Sequence, residues 1–74
     1  MNEAGYLRIT LDTFFKHFPT SKKSDQIRTI KAIHKKEIRD GEIFTANLYK
    51  LDNDFCVTFT HENIEFYEAK FDFY

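Results

Sequence analysis

Residues 24–41, SDQIRTIKAIHKKEIRDG, decide how the chain is read, because a regular apolar period runs through them and both ends carry helix punctuation. Ser24 is a good helix N-cap, and Asp25 puts a carboxylate at the positive end of a helix dipole. Lys35, Lys36 and Arg39 put cations at the opposite end, and Gly41 stands where a helix takes its left-handed terminating residue. Wound at about 100° per residue, Ile27, Ile30, Ile33, His34 and Ile38 fall on an arc of roughly 140°. The spacing predicts the main helix over about 25–40, with Ile30 near the centre of its buried stripe.

Towards the N-terminus, Leu11, Phe14, Phe15 and Phe18 recur at i, i+3, i+4 and i+7. This predicts a short aromatic helix over about 11–18, with Pro19 marking its end. Leu7, Ile9 and Leu11 alternate with Tyr6, Arg8 and Thr10, which predicts a short strand over 6–11. Towards the C-terminus the period becomes two. Segments 43–51 and 55–61 read as strands joined at Asp52-Asn53-Asp54, and a third follows His61-Glu62-Asn63. In this last strand Ile64 and Phe66 share one phase while Tyr67, Ala69, Phe71 and Phe73 share the other. A β-bulge near Phe66-Tyr67 reconciles them. The expected fold class is α+β: one domain over 1–74, with a three- or four-stranded antiparallel sheet (meander 43–74) packed by the main helix and the short aromatic helix.

Composition narrows the function. The chain of 74 residues is 42% hydrophobic and 31% charged, with a net charge of −1. No apolar run approaches the roughly 20 residues of a spanning helix, so no membrane role is expected. Met1 to Gly5 lack the basic and apolar regions of a secretory signal, and a cytoplasmic location is expected. Cys56 is the single cysteine and cannot form an internal disulfide. A core this small rarely supplies more than about 3–5 kcal/mol, which favours partner binding or a homodimer.

The charge map is uneven. Residues 21–40 hold seven cations and three carboxylates, whereas residues 51–74 hold six carboxylates and the single cation Lys70. On the expected helix Arg28, Lys31, Lys35 and Arg39 form a basic flank that suits phosphates. On the sheet, Tyr49 and Tyr67 are the expected aromatic anchors for a protein partner, with Glu65, Glu68 and Asp72 as the acidic surround. An acidic sheet face of this kind either mimics nucleic acid or keeps exposed strands soluble.

Signals for catalysis are few. Glu68-Ala69-Lys70 with Asp54 upstream resembles the acidic pair and Glu-x-Lys of metal-dependent nucleases, in which two carboxylates hold Mg²⁺. His17, His34 and His61 have no ligand spacing, and no Gly-rich phosphate loop or nucleophile elbow is present. The order of a basic helix and an antiparallel meander over 24–74 looks broadly like the small ribonuclease toxins of bacterial toxin–antitoxin pairs. That resemblance implies catalytic cations on the strands, where this chain has only Lys50 and Lys70. The sequence therefore points to a non-enzymatic, protein-binding inhibitor or regulator of the phage or mobile-element type, with no metal and no cofactor. The alternatives are a nucleic-acid-binding regulator and, behind it, a small metal-dependent nuclease.

Overall fold

The computed structural model describes residues 3–18, 22–39 and 41–74, with side chains from residue 5 onward; Pro19 and Asp40 lie outside the described residues. Helix α1 spans Glu3–His17. Tyr6, Thr10 and Phe14 recur every four residues and all three are buried, so a stripe of aromatic surface faces the core. Thr10 satisfies its buried hydroxyl by donating to the Tyr6 carbonyl at 2.8 Å. The strand expected over 6–11 is thus part of this helix. The alternation of Leu7, Ile9 and Leu11 gives way to a helix that gathers Tyr6, Thr10 and Phe14 on one buried stripe.

The larger correction falls on the helix expected over about 25–40: the described residues 25–39 form no α-helix. A 3₁₀ turn over Ser24–Gln26 leads into strand β1, Ile27–His34, and residues 35–39 are irregular. Strands β2 (Thr45–Leu51), β3 (Asp54–His61) and β4 (Ile64–Phe73) follow. The four strands form one antiparallel sheet in the order β1-β4-β3-β2. Four of the eight residues of β1, Ile27, Thr29, Ile30 and Ile33, are β-branched, which favours an extended chain. Docking on β4 gives that strand a partner on its second edge, so its backbone groups are paired on both sides. The ladder is closed at its ends by Tyr74 N–H donating to the Gln26 carbonyl at 3.0 Å and Lys35 N–H donating to the Phe66 carbonyl at 2.8 Å.

The α+β class and the antiparallel meander stand. The likeness to ribonuclease toxins loses its basis, because it rested on a basic helix where the chain forms a strand. Gly41 does take a left-handed φ of 87°, in the connection between β1 and β2 rather than behind a helix. The turn at Glu62-Asn63 has both residues at positive φ, 52° and 65°, the geometry of a two-residue hairpin loop. The expected bulge is present: Phe59 pairs with Tyr67 and Thr60 with Glu65, which leaves Phe66 as the extra residue.

The register gives the sheet two distinct faces. Phe71, Ala69 and Tyr67 of β4 align with Phe55, Val57 and Phe59 of β3 on the face covered by α1. Phe14 stacks into this layer, with ring centroids 4.9 Å from Phe71 and 5.0 Å from Phe55, and Tyr6 lies 5.3 Å from Tyr67. The opposite face has no helix against it among the described residues.

Candidate functional site

The uncovered face is built in rows that run across the strands. One row reads Tyr49 (β2), Cys56 (β3), Lys70 (β4) and Lys31 (β1). The next reads Asn47, Thr58, Glu68 and Ile33. Small side chains, Cys56 and Thr58, occupy the middle and are screened by larger neighbours, while Tyr49, Leu51 and Ile33 protrude towards the two edges. Tyr49 is 51% exposed and Ile33 52%, high values for apolar side chains in a sheet.

The charges that are segregated along the chain meet on this face. A second irregularity, with Ile27 opposite Phe73 and Thr29 opposite Asp72, leaves Arg28 as the extra residue of β1. The bulge aims Arg28 at Asp72, whose carboxylate accepts hydrogen bonds from Arg28 Nε at 3.1 Å, from the Arg28 terminal nitrogen, and from both the N–H and the hydroxyl of Thr29. The bonds from Arg28 and then Thr29 hold the Asp72 carboxyl below the usual carboxylate range, and Asp72 in turn raises the Arg28 guanidinium. Lys35 pairs with Glu65 and is raised by that hydrogen bond. Burial pushes the Cys56 thiol up, so it is protonated and inert at neutral pH.

Several expected site residues change role. Tyr67 is fully buried against Tyr6 and Phe59 and cannot be a surface anchor, because the bulge at Phe66 turns both residues inward. Asp72 is 7% exposed and committed to Arg28 and Thr29. Of the expected basic ladder, Arg28 and Lys31 lie on β1, Lys35 and Arg39 lie in the following connection, and two of the four are consumed by ion pairs. Among the described residues these four cations form no free row to track a phosphate backbone. Tyr49 is exposed and Glu68 half-exposed on the face, and Lys31, expected on a helix flank, is exposed beside them on β1.

Asp54, Glu68 and Lys70 do line one depression of about 500 Å³, together with Lys31, Ile33 and Asp72. Lys70 lies between Glu68 and Asp72 along β4, so an ammonium intervenes where a metal would need converging carboxylates. No group of three His, Cys, Asp or Glu side chains among the described residues is placed to hold a metal. At the far end of the sheet His61 donates from Nδ1 to the Ile43 carbonyl at 2.8 Å, and its Nε2 lies 2.6 Å from Glu42, which ties the β1–β2 connection to the hairpin. Both ring nitrogens are occupied, as is the nitrogen of His34 that meets the Lys36 carbonyl at 3.0 Å. Sequence reasoning missed the Arg28–Asp72 clamp and the pairing of Lys31 with Lys70. The signal that finds both is the β-branched content of 27–33.

Comparison with protein-family models, with curated proteins and with solved structures gave no match.

Proposed function

We propose that the protein is a non-enzymatic binding module, an inhibitor or regulator that docks the uncovered face of its sheet onto a partner protein. The observation that carries this reading is the trio Ile33, Tyr49 and Leu51, exposed on a face that no helix covers among the described residues, with the ion pairs Arg28–Asp72 and Lys35–Glu65 beside it. Aromatic and apolar side chains inside a polar rim are the composition of a protein interface core. Nucleic-acid mimicry receives less support, since Glu65 and Asp72 are neutralised by Lys35 and Arg28.

The test is capture of partners from the native host by tagged wild-type chain and by a Tyr49→Ser/Leu51→Ser variant. The substitutions touch exposed positions, so the thermal midpoint stays within a few degrees of wild type. The partner recovered by wild type is lost by the variant. Equal recovery by both chains overturns the assignment of this face.

A further inference from the structure

We infer that Lys31 and Lys70 form a receptor for an acidic side chain on the partner protein, so that the surface docking here is one in which a carboxylate stands beside an apolar group. The inference rests on the protein-binding reading above. Lys31 and Lys70 are directly opposite one another across β1 and β4, on the uncovered face. Like charges opposed in this way destabilise a sheet. The neighbouring cations escape that cost: Arg28 has Asp72, and Lys35 has Glu65. Neither Lys31 nor Lys70 has an ion pair among the described residues, and both are exposed.

The surrounding charges define what fits. Glu68 is adjacent to the lysines, forms no ion pair among the described residues and faces Ile33 across the strands. Asp72 is already saturated by Arg28 and Thr29, and Asp54 borders the same depression. A long polyanion laid across this face meets Glu65, Glu68 and Asp54 as well as the lysines, and has one exposed aromatic, Tyr49, in the lysine row to stack on. A single carboxylate spanning the two ammonium groups meets fewer of those acids than a continuous run of charges does. Its apolar neighbours then rest on Ile33 on one side and Tyr49 on the other. Charge complementarity thus selects an acidic protein surface over nucleic acid.

The sheet also predicts a trade-off between stability and binding. Lys70→Glu replaces the opposed like charges by a cross-strand ion pair, so it raises Tm while it abolishes the receptor. The probe is a capped tripeptide with one carboxylate between apolar side chains, acetyl-Leu-Glu-Leu-amide, titrated into isotope-labelled protein and read by chemical shift, with inorganic phosphate and single-stranded oligothymidylate in parallel. The expected result is salt-sensitive shifts confined to Lys31, Lys70, Ile33 and Tyr49. These weaken roughly tenfold in Lys31→Ala/Lys70→Ala and are restored by Lys31→Arg/Lys70→Arg. Absence of such shifts, equal shifts in the Ala variant, or stronger binding of phosphate or the oligonucleotide overturns the receptor. A host partner lost on Tyr49→Ser but retained by Lys31→Ala/Lys70→Ala also overturns it, while leaving the open-face reading in place; a partner retained by both variants removes the two together.

Discussion

Truncating Phe14 to Ala tests how the helix is held to the sheet. Phe14 is fully buried, and its ring lies 4.9 to 5.8 Å from those of Phe15, Phe18, Phe55, Phe71 and Phe73. Removing it forfeits the transfer energy of a buried aromatic and leaves a cavity that five fixed rings cannot fill, a loss of about 3–5 kcal/mol. A chain of 74 residues has about 4–11 kcal/mol in all, so the variant retains little or no stability. Ile30 is the control: it sits on the edge strand, 38% exposed, and truncation there costs about 1 kcal/mol. Urea titrations followed by circular dichroism report both. With a slope near 1 kcal/mol/M, Ile30→Ala moves the midpoint by about 1 M, whereas Phe14→Ala removes the folded baseline. A main helix centred on Ile30 gives a loss of about 2–5 kcal/mol at that residue instead. A severe Ile30 defect beside a mild Phe14 defect would refute the packing described.

Three further outcomes are expected. Asp72 has a lowered folded-state pKa, so the stability it contributes is complete above the ordinary carboxylate value near pH 4 and is lost as pH falls through its lower folded value; Asp72→Asn removes that acid limb from a plot of Tm against pH, and parallel limbs in the two chains contradict the clamp. Cys56 resists alkylation by iodoacetamide in native buffer and reacts at the rate of a free thiol in urea, and rapid native labelling would show that the centre of the open face is not screened. Glu62 holds a left-handed φ of 52° that glycine adopts without cost, so Glu62→Gly stabilises the fold by about 0.5–1 kcal/mol, measured by the same urea titration, and a loss of stability contradicts the turn geometry.

The meander was legible because its alternation, its two turns and the phase change at Phe66-Tyr67 each point to one register. The stretch 24–41 was misread for a physical reason. The bulge at Arg28 adds one residue between Ile27 and Ile30, so two side chains on the same sheet face stand three apart, as they do on a helix. Ile33 completes the apparent period but lies on the uncovered face, opposite Glu68. Ser24 and Gly41 are turn formers here, one opening a 3₁₀ turn and the other a left-handed bend in a connection. For the site, Tyr49 was legible as a protruding aromatic. Tyr67 was not: the bulge was legible, but which face of the sheet the aromatic stripe of α1 covers, and so that Tyr67 is buried under it, depends on tertiary packing. The charge map could not be read without the strand order: β1 lies beside β4, so the basic and acidic segments neutralise one another.

Residues 27–34 form a strand beside β4 that brings Lys31 opposite Lys70. Nuclear Overhauser contacts in the labelled protein test it directly. Cross-strand backbone contacts are expected linking Thr29 with Asp72, Lys31 with Lys70 and Ile33 with Glu68. Strong sequential amide contacts and i,i+3 contacts through 25–40, without the cross-strand set, would contradict it and return the basic residues to a helix.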